Sequence, residues 1–89
     1  MISQTTADFR RLLAGLPEHV RHQADIACRQ WAADSTHPGL QFKQVEPRRH
    51  VYSARVGLGY RALGVRTDET VVWFWIGPHD DYERLLSGR

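Results

Sequence analysis

One imidazole and two guanidiniums carry most of the chemistry this chain could perform. His79 stands in the run Gly77-Pro78-His79-Asp80-Asp81-Tyr82-Glu83, where an apolar stretch ends and a helix opens. An imidazole titrates near neutrality and is the side chain best matched to moving a proton at working pH. Arg55 and Arg61 flank the tripeptide Gly57-Leu58-Gly59. The planar guanidinium fork suits phosphate oxygens, so two of them beside one hairpin loop are a candidate phosphate clamp. The plainer readings are solvated strand charges for the arginines and an exposed or structural ring for the histidine. Strand parity leaves open whether Arg55 and Arg61 converge, because a bulge in the loop would re-aim them. Asp80 and Asp81 beside His79 do not make a metal site, since no second soft ligand is placed nearby. Asp80 and Glu83 have capping-box spacing, which gives the acids a structural reason to be there. No phosphate-binding glycine loop, GxSxG elbow or CxxC pair is present.

The totals bound the answer. Eighty-nine residues form one domain, 1–89, with a single core and little margin. An apolar fraction of 42% and a charged fraction of 25% are those of an ordinary soluble domain, so disorder and a membrane span are not expected. Met1 is not followed by a charged-then-apolar leader, so a cytoplasmic protein is expected. Cys28 alone cannot staple the fold, and its helical position predicts a small core residue. Lys43 is the only lysine among twelve cationic residues. That arginine bias fits a nucleic-acid substrate, an acidic partner, or simply a genome that writes Arg for Lys.

The elements that must position these groups follow from periodicity. Ile2 to Thr5 could form a short edge strand. Thr5 and Asp8 have capping-box spacing, and Phe9, Leu12, Leu13 and Leu16 then recur at helical intervals. Gly15 and Pro17 break this helix. A second runs from Pro17 to about Asp34, with Val20, Ala24, Ala27 and Trp31 on one face. The short connection predicts an antiparallel helical hairpin. After the turn cluster Ser35 to Gly39, Leu40 to Glu46 reads as a strand, and Pro47-Arg48-Arg49-His50 as a basic link. Val51 to Val56, Tyr60 to Arg66 and Thr70 to Ile76 are β-branched and aromatic runs parted by short loops, an antiparallel meander. Parity places Trp73 and Trp75 together on one face of the last strand, with Val72, Phe74 and Ile76 on the other. The fold class is α+β: a two-helix N-terminal hairpin on one face of a twisted antiparallel sheet of about four strands, closed by a short C-terminal helix.

Three strings, His37-Pro-Gly-Leu-Gln-Phe-Lys43, Tyr52-Ser-Ala-Arg-Val-Gly-Leu-Gly-Tyr-Arg-Ala-Leu-Gly-Val65 and the run from Val71 to Leu86, in this order behind a two-helix half, resemble the RelE/ParE superfamily of type II toxins. The resemblance implies a microbial-ribonuclease-like fold. It also implies a cognate antitoxin from the same operon, in a toxin–antitoxin hetero-oligomer. RelE-type relatives cut mRNA on the ribosome by attack of the 2′-hydroxyl, with neither metal nor organic cofactor. By resemblance, Arg61 corresponds to the arginine placed on the scissile phosphate, Arg55 to a strand arginine common in the superfamily, and His79 to a C-terminal catalytic histidine. Tyr82 lies near a catalytic aromatic position, and Lys43, Arg48 and Arg49 are the expected substrate contacts. Val51 and Ser53 stand where RelE has lysines, which favours a histidine-centred mechanism. ParE relatives share the scaffold but poison DNA gyrase, and a third alternative is an inactive homologue that only binds its antitoxin.

Overall fold

The computed structural model describes residues 1–88. Their order is β1 (Ile2–Thr5), α1 (Ala7–Ala14), α2 (Glu18–Ala33), β2 (Lys43–Glu46), β3 (Val51–Val56), β4 (Tyr60–Thr67), β5 (Thr70–Pro78) and α3 (His79–Ser87), with 3₁₀ turns at Pro38–Leu40 and Pro47–Arg49. One five-stranded sheet has the order β1-β5-β4-β3-β2. The α+β class and the antiparallel meander β2 to β5 are as the sequence predicts. The sheet differs in being mixed, because β1 pairs parallel with β5. That strand covers an edge that β5, apolar at most positions, would otherwise expose. The Trp73 indole Nε1 donates to Ser3 Oγ at 3.1 Å and ties the two strands together.

Local chemistry explains most boundaries. Thr6, rather than Thr5, caps α1, its hydroxyl accepting from the Phe9 amide at 3.1 Å, because Thr5 is already committed to β1. The proline-opened α2 buries Val20 and Trp31, with Ala24 and Ala27 packed against the core. Cys28, next to Ala27, falls off this stripe and is exposed, not the core residue expected. The strand expected from Leu40 begins only at Lys43. Leu40 itself is buried at the end of a 3₁₀ turn, and Gln41 takes a left-handed conformation with φ of 46°. Pro78 precedes α3 without a side-chain cap, so Asp80 and Asp81 lie in its first turn and favour its positive end, instead of Asp80 serving as the cap.

The sheet divides two cores. On one face, Phe9 and Trp31 from the N-terminal helices pack with Leu40, Ala54, Val56, Ala62, Val71, Trp73 and Ile76. Trp31 meets the edge of Trp73 at 5.6 Å and of Phe42 at 5.7 Å between ring centres. On the other face lie Val51, Leu63 and Tyr82, with Phe74, Trp75 and Leu86 beside them. The closing helix α3 therefore covers the face opposite α1 and α2, which the sequence reading had left open.

The pairing of β5 with β4 shifts by one. Gly64 pairs with Trp73 and Leu63 with Trp75, leaving Phe74 as the extra residue of a bulge. Trp73 and Ile76 thus enter the helix-side core while Trp75 joins the opposite one. The parity that put both tryptophans on one face fails at this bulge. Gly64 makes room for it: a Cβ there would lie 2.5 Å from Val71 Cγ1 and 2.9 Å from Trp73 Cε3. Gly64→Ala is expected to destabilise the fold by about 1–3 kcal/mol, the usual cost of overpacking, measured by urea unfolding. A variant as stable as the parent would show that Trp73 has another way to pack.

Candidate functional site

Arg55 and Arg61 do converge. They are direct cross-strand partners in β3 and β4, two positions before and two after the Gly57-Leu58-Gly59 loop. Their row continues into Gly77 of β5, and the adjacent row holds Ser53, paired with Leu63 on one side and Lys43 on the other. Lys43, Ser53, Arg55 and Arg61 therefore share the α3 side of the sheet. His79 follows two residues after Gly77, its amide donating to the Gly59 carbonyl at 2.9 Å. The loop thus presses against the first turn of α3, at the end of the sheet where both arginines stand.

The two arginines differ in exposure. Arg61 is buried, 4% exposed, while Arg55 is half-buried. Arg61 Nη1 donates to Gln41 Oε1 at 2.9 Å, and Nη2 to Ser53 Oγ at 2.6 Å and, more weakly, to the Gln41 carbonyl at 3.5 Å. Its Nε has no partner. The guanidinium carbon lies 5.1 Å from the centre of the Tyr82 ring, whose hydroxyl donates to the same Ser53 oxygen at 3.2 Å. Arg55 is fixed through Nε to the Gly57 carbonyl at 2.9 Å, made possible by the positive φ of Gly57, 60°. No protein acceptor takes its outer fork among the described residues.

Among the described residues no carboxylate pairs with either arginine. The ion pairs among the described residues join Asp8–Arg11, Asp25–Arg29, His79–Glu83 and Asp81–Arg84. Like charges directly opposite on a sheet repel, and a buried charge without a counter-ion pays a desolvation cost. Gln41 adds a backbone conformation that costs roughly 1–2 kcal/mol for a residue with a side chain. All three penalties fall on one small cluster.

His79 completes the cluster. Its ring centre lies 5.6 Å from that of Tyr82, so Tyr82 neighbours both the imidazole and the Arg61 guanidinium. About half exposed, it has Nε2 at 3.5 Å from Glu83 Oε1, one helical turn on. Glu83, not Asp80 or Asp81, is its carboxylate neighbour, because helix geometry brings i and i+4 together. Arg48 and Arg49 do not join them. They are exposed in the turn before Val51, at the opposite end of β3, where Val51 itself lies roughly 13 Å from the Arg55 level at 3.3 Å per residue. Ser53 and Gln41 are the members sequence reasoning missed. Ser53 shares strand parity with Arg55, but nothing in the sequence announces Gln41.

An apolar cavity of about 240 Å³, lined by Phe9, Trp31, Leu40 and Trp73 among others, lies on the other face and has no part in this cluster. Among the described residues no group of three His, Cys, Asp or Glu could hold a metal, and no helix is long and apolar enough to cross a membrane.

A helix-flanked five-stranded sheet of this order is the architecture of the RelE/ParE toxin superfamily. The chain belongs to the ParE-like toxin family: residues 18–84 match the model of the ParE-like toxin domain. Solved structures similar to it include the RelB–RelE antitoxin–toxin complex of Methanococcus jannaschii (TM-score 0.73, 17% identity, 92% of this chain and 96% of that one). YafQ from Escherichia coli BL21(DE3) is also similar (0.68, 9%, 90% and 94%), as is the toxin–antitoxin complex RelBE2 of Mycobacterium tuberculosis (0.55, 24%, 88% and 96%). No curated protein sequence matches the chain.

If Arg61 is held for its charge and not for stability, Arg61→Met, similar in length and uncharged, is expected to fold with a melting temperature at or above that of the parent. Buried ions replaced by apolar residues commonly behave so. A loss above about 2 kcal/mol in denaturant unfolding would instead mark the guanidinium as a structural tie.

Proposed function

We propose that this protein is the toxin of a toxin–antitoxin pair and acts as a ribosome-dependent mRNA endoribonuclease. The observation that carries this reading is the opposed, unneutralised pair Arg55–Arg61 with His79 one aromatic ring away. Cleavage by an internal ribose hydroxyl needs just such parts. The 2′-oxygen must lose a proton as it attacks phosphorus, and the departing 5′-oxygen must gain one. The pentacoordinate intermediate carries extra negative charge on its equatorial oxygens. A positioned imidazole serves either proton transfer, and Glu83 holds its ring at the mouth of the cleft. Arg55 meets the phosphate with its outer fork, Arg61 supplies positive potential from beneath, and Lys43 extends the cationic face along the RNA. Tyr82, in contact with both Arg61 and His79, helps to fix their positions. Arg48 and Arg49, in the turn before β3, have no part in this chemistry. The products are a cyclic phosphate and a 5′-hydroxyl.

Similarity to two antitoxin–toxin complexes supports a cognate antitoxin as partner. Co-expression with the adjacent small gene is expected to restore growth and to yield a co-purifying complex.

The match to the ParE-like domain favours a second reading, inhibition of DNA gyrase by binding alone. The two readings separate in one experiment. Induced expression produces new mRNA 5′ ends under the first and loss of plasmid supercoiling under the second.

His79→Ala and His79→Gln are expected to lose about 10²- to 10⁴-fold in cleavage, the typical contribution of a positioned proton-transfer group. Because the ring is half exposed, stability should change by less than about 0.5 kcal/mol, and antitoxin binding should persist. Arg61→Ala should lose about 10²- to 10³-fold, and Arg61→Lys should also be impaired, since a single ammonium cannot reach Gln41 and Ser53 as the fork does. Wild-type cleavage by either His79 variant would make the histidine structural. Unchanged cleavage by folded Arg61→Ala would remove Arg61 from the mechanism.

A further inference from the structure

The partners that hold Arg61 are all neutral: a glutamine amide and carbonyl, a serine hydroxyl and an aromatic ring. A buried arginine is ordinarily matched to a carboxylate, which would hold it more firmly. Gln41 sits where such a carboxylate would go. Its Oε1 lies 2.9 Å from Nη1, and an isosteric glutamate would place a negative oxygen at the same point. Its backbone is also unusual, left-handed at φ of 46°, which turns the carbonyl toward the same guanidinium. Gln41 thus gives Arg61 direction without cancelling its charge.

From this we propose that Gln41 is a positioning residue for the phosphate site. It aims Arg61 by two hydrogen bonds while its neutrality leaves the buried charge for a phosphodiester seated against Arg55. The inference rests on the ribonuclease reading for its catalytic consequence. Its electrostatic content, an anion site dependent on a neutral residue 41, stands on the geometry alone. Oxygen acceptors on Nη1 and Nη2 fix the plane of the fork, and Nε remains unpartnered. Ser53 alone, through one bond to Nη2, would leave the group free to turn about that contact.

The test compares Gln41→Glu with Gln41→Asn. Asparagine is the side chain most tolerant of left-handed backbone, so this variant folds, keeps the charge of Arg61 uncancelled and withdraws the amide from Nη1 by one methylene. Glutamate keeps the reach and adds the countercharge. Binding is measured with a short RNA oligonucleotide carrying a 2′-deoxy substitution at the cleavage position, which cannot react. Cleavage is measured with ribosome-bound mRNA, and stability by thermal melting. Gln41→Glu is expected to melt no lower than the parent, to bind the oligonucleotide at least tenfold more weakly, and to lose at least tenfold in cleavage. Gln41→Asn is expected to bind within twofold of the parent while kcat falls about tenfold, a split that general loss of structure would not give. Parental binding by a folded Gln41→Glu, or parental kcat in Gln41→Asn, would overturn the proposal. Should the parent protein leave mRNA intact, the ribonuclease reading fails, and oligonucleotide binding by the parent and Gln41→Glu still decides whether Gln41 guards the charge. Should Gln41→Glu not fold, the Gln41→Asn arm decides alone: retained kcat, or binding lost in step with kcat, would refute the positioning role.

Discussion

A guanidinium taken out of water must find acceptors or the structure will not close over it. Arg61 is in that position, and meeting its needs ties together parts of the chain distant in sequence. Gln41 comes from the turn before β2, Ser53 from β3 and Tyr82 from α3. The demand explains features that look arbitrary singly: a glutamine with positive φ, a fully buried serine in a strand of apolar neighbours, and a helix docked through a tyrosine. Each gives Arg61 an oxygen or a π face, and none gives it a negative charge.

The same compactness constrains the sheet. Ten kilodaltons of chain cannot afford separate strands for two cores. Strand alternation serves both, and the bulge at Phe74 sends Trp73 toward α1 and α2 and Trp75 toward α3. With the helix side closed by aromatic packing, the opposite face is free to carry polar residues at one end and a small apolar patch at the other. The cleft is therefore built on strands and a helix start, not on a long loop, which keeps Arg55, Arg61 and His79 at set separations.

Membership in the ParE-like family and likeness to RelE- and YafQ-type structures agree about the scaffold. They leave the target to the site, since one fold hosts both nucleolytic and gyrase-directed toxins. In this chain a cationic pair with no counter-ion among the described residues shares its end of the sheet with an exposed imidazole. Those are groups suited to stabilising and protonating a phosphoryl intermediate.

Much of this was legible in the residues. Alternation and turn chemistry located β3, β4 and β5, helical spacing located α1 and α2, and three ordered strings identified the superfamily, because each is a local property of the chain. The position of His79 at a strand–helix junction was equally local. Contacts between elements were not. The parallel pairing of β1, the flip of Trp75 and the placement of α3 on the far face depend on a one-residue slip between β4 and β5 and on which edge needed covering. Whether Arg55 and Arg61 met depended on the register across a three-residue loop, and Arg48 and Arg49 fell away because the strand between them and the cleft is rigid and extended. Gln41 was invisible for the same reason. Nothing about a glutamine in sequence marks it as the neutral partner of an arginine twenty positions later, and only the closed tertiary structure brings the two within bonding distance.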